Sequence, residues 1–289
     1  MKKYKGDIML LLAAAIGGTG FVFMKYLLEW QFTAFQIITI RFLIATILLC
    51  IIYWKEVTKI TKQEWKEGGI LGVFLFFVFM LLTVGLQYTT PSINAFLTSL
   101  SAVVVPFILW GMFHIKPDKT CFFAIALTII GVALLSGTNH IEGNIGMLLP
   151  LGASVAFAFQ MTLMDRFLQK GNALHLALVE HIVVLLLAFV VTLAQQTPLP
   201  PITLSALNYF FILGAFCTAT YFVLQSFGQK ITKPFNAALL LTSESVFASI
   251  TAAILYGERL SFREYTGCFL MFFAVILAEK TAFLETKEF

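Results

Sequence analysis

Long apolar runs alternate with short polar links along the whole chain. A helix rising 1.5 Å per residue needs about 20 apolar residues to cross a bilayer. By that ruler the sequence predicts ten spans, over residues 8–28, 32–54, 69–86, 91–113, 120–136, 145–164, 173–194, 203–226, 235–256 and 262–279. The links carry turn chemistry: Thr89-Thr90-Pro91-Ser92, Lys116-Pro117-Asp118, Gly137-Thr138-Asn139, Gly171-Asn172 and Pro198-Leu199-Pro200-Pro201. None is long enough for a soluble domain. The first run follows Lys2, Lys3 and Lys5, as in a secretory leader. Its apolar character continues through Phe21, Phe23 and Tyr26 to Leu28, so it is expected to stay as the first helix.

The polar positions within these runs repeat. At a constant offset of 142, Thr90, Asn94, Ala95, Leu97, Ser101, Val104 and Ile108 meet Thr232, Asn236, Ala237, Leu239, Ser243, Val246 and Ile250. These are 7 identities in 24 positions, where so apolar a composition gives roughly two by chance. Asn94 and Asn236 each fall one turn inside a span, where solvation does not explain them. A weaker echo sets residues 33–41 of the second span against 172–180 of the seventh. The pattern predicts two halves of five spans each, over residues 7–137 and 143–280.

Composition agrees with the runs. Apolar residues make up 60% and charged residues 12%, against about a quarter charged in soluble domains. The expected fold class is an all-α polytopic membrane protein. The net charge of +4 matters less than its placement. With the N-terminus in the cytoplasm, the cytoplasmic links hold Lys2, Lys3, Lys5, Lys55, Lys59, Lys62, Lys66, Lys116, Lys119, Arg166, Lys170, Lys230, Lys233, Lys280 and Lys287. These are 15 of the 19 basic residues. That bias predicts a multi-pass protein of the cytoplasmic membrane with both termini inside. Five spans per half is an odd number, so the second half enters the membrane upside down. Inverted repeats of this kind are the architecture of secondary transporters, with a site near the midplane.

Ionisable groups deep in spans mark the candidate site, because each costs about 2.5–3.5 kcal/mol to insert. Arg41, Glu180, His181 and Glu244 lie near span centres. Glu244 reads either as a proton acceptor or substrate counter-charge, or as a carboxylate satisfied by Thr242, Ser243 and Ser245. Arg41 reads as a structural partner of Glu180 or Glu244, ahead of a substrate-binding role, since a guanidinium does not shed its charge. Glu180 and His181 are neighbours and so point about 100° apart. Gln160, Tyr221 and Gln225 are further candidates for a cavity wall. Gly17, Gly18 and Gly20 suit either close helix packing or local unwinding. Pro106 and Pro150 are expected to bend or hinge their spans. Cys50, Cys121, Cys217 and Cys268 stand singly in apolar runs, without metal or disulfide spacing.

Several stretches together resemble the EamA-type proteins of the drug/metabolite transporter superfamily. They are residues 14–25 (AAIGGTGFVFMK, with Gly18, Phe21 and Lys25), Arg41, residues 96–106, and Glu244 with Gly257-Glu258. Gly17 stands where that family commonly has Trp, Ile115-Lys116 where many members have Gly-Glu, and Ser245 where Pro is frequent. The resemblance implies ten helices in two five-helix repeats and a small-solute carrier, often an exporter. The partners then expected are a small-molecule substrate, the lipid bilayer and a proton as candidate coupling ion. No cofactor, metal or nucleic acid is expected. The absence of a GxxxxGK[ST] motif leaves a proton gradient or the solute's own gradient as the energy source. A membrane-embedded enzyme is the alternative, but His114, His140, His175 and His181 are scattered and no HExxH occurs. A channel is a further alternative, and no selectivity-filter signature marks one.

Overall fold

A computed structural model of the chain describes residues 3–114, 116, 119–135, 141–232, 237 and 240–285. Among them the secondary structure is helical, with no strand. The helices are α1 (Lys3–Glu29), α2 (Ala34–Ile52), α3 (Lys62–Gly85), α4 in two pieces (Pro91–Ser99 and Ser101–Phe113), α5 (Lys119–Leu135), α6 (Ile141–Leu168) and α7 (Ala173–Gln195). Then comes α8, which runs from Leu204–Phe211 through a π-helical stretch, Ile212–Thr220, into Tyr221–Ile231. In α9 the described part holds Glu244–Thr251 and a π-helical end, Ala252–Tyr256, and α10 is Phe262–Glu285. A short helix, Trp54–Val57, lies between α2 and α3.

Local chemistry sets the starts. Thr33 Oγ1 accepts from the Gln36 amide while Gln36 Oε1 accepts from the Thr33 amide, a reciprocal capping box. Asn172, its counterpart in the second half, caps α7 through Oδ1 to the Leu174 amide. Thr61 and Glu64 form a second capping box. That box begins α3 at Lys62, well before the apolar run from residue 69 on which the span was predicted, because capping and not hydropathy sets the first turn.

Packing between helices follows one symmetric scheme. α3 lies against α6 and α7, just as α8 lies against α1 and α2. α4 meets α6 as α9 meets α1, α2 meets α7, and α5 meets α10. Every one of these contacts joins the two halves, and each partner list maps onto the other when the halves are exchanged. A two-fold axis relating halves of five spans must lie in the membrane plane. The chain is therefore a ten-helix bundle of two inverted repeats.

The apolar cores sit between helices. Leu10, Phe42, Leu75 and Phe222 belong to one cluster, and Phe21, Leu27, Ile37 and Phe210 to another. Large apolar side chains also cover the outside, among them Ile129, Val190, Leu193, Ile254 and Phe269. Water does not reward such a surface, whereas lipid does. One end of the bundle carries the start of α1, the Trp54–Val57 helix and Lys230, and is called the basic end below.

Two helices are interrupted at mid-depth. α4 breaks at Leu100 (φ −64°, ψ −6°) and α9 at Ser243 (φ −62°, ψ −12°), within one residue of the 142-residue register. Both breaks carry the same tightened bonds. The Leu100 amide donates to Leu97 O and Val103 to Leu100 O, while Ser243 donates to Leu240 O and Val246 to Ser243 O. Pro106 and Pro150, expected to bend their spans, lie inside helical segments that run on through them. The interruption in α4 falls at Leu100.

Candidate functional site

The two breaks face one cavity of about 60 Å³. Thr98, Ser99 and Ser101 reach it from α4, and Leu241, Thr242 and Glu244 from α9. The remaining walls come from α1 (Gly17, Gly20, Phe21, Met24), α2 (Arg41), α3 (Leu75, Val78, Phe79, Leu82), α6 (Phe157, Met161) and α8 (Cys217, Tyr221, Phe222).

Arg41 is 2% exposed and forms the charged wall. Its Nε donates to Thr218 Oγ1 at 2.9 Å, Nη2 to the Cys217 carbonyl at 2.9 Å, and Nη1 to Met24 Sδ at 3.1 Å. The guanidinium carbon lies 4.5 Å from the centre of the Phe79 ring, a cation–π contact. The expected ion pair with Glu180 or Glu244 does not form. The reason is the π-helical stretch of α8. Its wider turn bonds Thr218 Oγ1 to Leu213 O five residues back and offers the Cys217 carbonyl to Arg41. Three of the five guanidinium N–H groups are thus used.

Glu244 is the acidic side chain of the facing wall. It is half-buried, and its Oε2 accepts from Tyr221 OH at 3.0 Å. Of the hydroxyls expected to satisfy it, those of Ser243 and Ser245 bond their own helix instead, at Leu240 O and Thr242 O. Gly17 makes room for this arrangement. A Cβ there would lie 2.6 Å from Tyr221 Cε2 and 2.8 Å from Glu244 Oε1. Gly18 serves packing, since its Cβ would meet Ala248 N and Glu244 O at 2.7 Å, and Gly20 lies against Cys217.

The other sequence candidates lie elsewhere. Glu180 is fully buried between α6 and α7, where Gln160 Nε2 donates to its Oε2 at 3.1 Å, and neither residue lines the cavity. Glu180 Oε1 and Gln160 Oε1 have no partner. His181 is held through Nδ1 at the Ala177 carbonyl and lies between the Phe42 and Phe222 rings, so it backs the wall from behind. Gln225 is buried below the cavity, off its wall. Asn94 donates to Leu82 O and Thr89 Oγ1, tying α4 to the end of α3. Asn236 lies outside the described residues. Met24, Phe79, Met161, Cys217 and Thr218 belong to the site without a sequence signal, since each is an ordinary residue for a spanning helix.

An interrupted-helix, two-fold bundle around a charged, largely apolar midplane cavity defines a polytopic membrane transport protein. The EamA-like transporter family matches the sequence twice, over residues 4–137 and 144–279, and the chain belongs to that family. A protein of Archaeoglobus fulgidus, described as an uncharacterized transporter, is 28% identical over 277 residues, covering 96% of this chain and 86% of its own. The Bacillus subtilis protein YetK, described in the same words, is 29% identical over 181 residues, covering 58% of this chain and 54% of its own. A solved crystal structure superposes with a TM-score of 0.64 at 14% identity, over 92% of this chain and 96% of that one. The last likeness concerns the fold alone.

Proposed function

We propose that the protein is a secondary carrier of the cytoplasmic membrane, exporting a small amino-acid-like solute by alternating access of the central cavity. The basic end then faces the cytoplasm. The observation that carries the reading is the separation of Arg41 and Glu244 on two walls of one cavity, between symmetry-related helix breaks. A solute with a carboxylate and an ammonium group completes both walls: its carboxylate pairs with the Arg41 guanidinium, and its ammonium faces Glu244. Phe21, Leu75, Val78, Phe157, Met161 and Phe222 then receive an apolar side chain. In the empty site the Glu244 carboxylate binds a proton in place of the ammonium, so solute and proton compete for one group. That competition couples their movement in opposite directions, because each half-cycle carries one or the other.

The test is exchange in proteoliposomes loaded with leucine or phenylalanine. Flux is expected for these, and at least tenfold less for the corresponding amine or carboxylic acid alone, each of which leaves one wall uncompensated. Glu244→Gln is expected to abolish pH-gradient-driven flux in a protein that still folds. Equal flux of amine, acid and amino acid, or full pH-driven flux in the variant, overturns the reading.

A further inference from the structure

Below the cavity, α8 carries a second polar surface. Gln225 and Ser226 are 0% exposed, Gln229 5% and Thr232 8%. The side-chain oxygen and nitrogen atoms of all four lack a hydrogen-bond partner, including both ends of each glutamine amide. Among the described residues, six of the twelve buried polar side-chain atoms without a partner fall on this one stretch. Thr98, Thr162 and Thr192 each bond the carbonyl four residues back, and the Gln36 and Asn94 amides find carbonyls. Four unpaired polar residues within eight positions of one helix have no compensation in this arrangement, and lipid offers none.

The same stretch is pressed against α1 along its closest approach. A Cβ on Gly6 would lie 2.0 Å from Thr232 Oγ1, and one on Gly228 2.7 Å from Leu10 Cγ. Higher up, Gly17 meets Tyr221. The two helices therefore run antiparallel from the cavity wall to the basic end. Glycines on both helices bring the two backbones close, Gly6 and Gly17 on α1 and Gly228 on α8. Tyr221 lines the cavity, and Gln225 follows it by one helical turn.

We infer that the α1–α8 seam is the gate at the basic end, and that Gln225, Ser226, Gln229 and Thr232 line the path that opens there. The inference rests on the carrier reading and adds a site to it. When the seam parts, water reaches the orphaned groups. The amides of Gln225 and Gln229, each both donor and acceptor, then form a hydrogen-bonding station for the polar groups of a small zwitterionic solute passing between cavity and cytoplasm. The closed seam leaves these groups unpaired, and that cost is what keeps the closed state from being permanent.

Gln229→Cys tests this in sealed vesicles whose basic end faces the medium, using a membrane-impermeant methanethiosulfonate. Labelling above that of wild type is expected, and Thr232→Cys gives the same reading should Gln229→Cys fail to fold. No increment for either variant overturns the gate, whether or not flux is observed. Gln225→Leu/Gln229→Leu is expected to raise the thermal midpoint and to lower leucine flux at least tenfold, because it removes the orphaned amides and their open-state solvation together. A lower midpoint with wild-type flux overturns the station. Failure of the carrier reading shows separately, as absence of leucine and phenylalanine flux in wild type, since the labelling needs no solute.

Discussion

Arg41 is positioned by a helix that departs from α geometry to receive it. The charge cannot leave and cannot reach water, so its N–H groups must be matched within the bundle. The π-helical stretch does this by turning the Cys217 carbonyl and the Thr218 hydroxyl toward one guanidinium. Thr218→Val keeps shape and removes the acceptor. It is expected to cost about 1–3 kcal/mol, read as a lowered midpoint in a thermal unfolding scan, while Thr218→Ser holds near wild type. An unchanged midpoint for Val means that the hydroxyl contributes nothing to holding the charge. The depth of Arg41 in a span was legible in the sequence because insertion energies make it conspicuous. Its partners were not. A carboxylate was the natural expectation, but π geometry is decided by tertiary contact, and Met24, Cys217 and Thr218 carry no pattern that announces it.

At the level of the helices, packing is set by where backbones approach. Gly72 of α3 faces α7 so closely that a Cβ would lie 2.6 Å from Val183 Cβ and 2.9 Å from the Glu180 carbonyl, whereas a Cβ on Gly69 would meet nothing within 4 Å. The pair makes a controlled comparison. Gly72→Ala is expected to destabilise by about 1–3 kcal/mol through overpacking. Gly69→Ala is expected to stabilise by about 0.5–1 kcal/mol through helix propensity alone. Thermal midpoints moving in the same direction would contradict the α3–α7 contact. The same scale shows what the repeat signal carried. The identities of residues 90–113 with 232–255 mark the two helices that prove to be interrupted, at Leu100 and Ser243. The interruptions themselves were invisible, since no glycine or proline marks either position. Neither Leu100 nor Ser243 is a helix breaker by residue type.

For the whole molecule, the proposed alternating access turns on the contacts that hold each end of the bundle. At the basic end, His175 of α7 bridges Glu64 at 3.0 Å and Glu56 at 3.4 Å, and Glu64 Oε1 accepts from the Asn172 amide. This ties the α2–α3 link of the first half to the start of α7 in the second. The opposite end has its own tie. Gly257, at φ +70°, turns the chain after α9 in a left-handed conformation that costs glycine little. The turn delivers Glu258 to the start of α4, where its Oε2 accepts from the Ser92 amide at 3.2 Å and from Ser92 Oγ at 2.9 Å. Lys25 adds bonds to Leu86 O and Thr89 O. In the proposed cycle, opening the end away from the termini separates the Glu258–Ser92 contact. Glu258→Ala removes that contact without touching the cavity, and so is expected to raise the population open at that end. Cys217 reports it, being in the cavity wall and 3% exposed. A small thiol reagent added from the side opposite the basic end is expected to label Cys217 several-fold faster in Glu258→Ala, with the Cys217→Ala double variant giving the background. An unchanged rate would mean that Glu258 only caps a helix, and that the halves are held apart from solvent there by apolar packing alone.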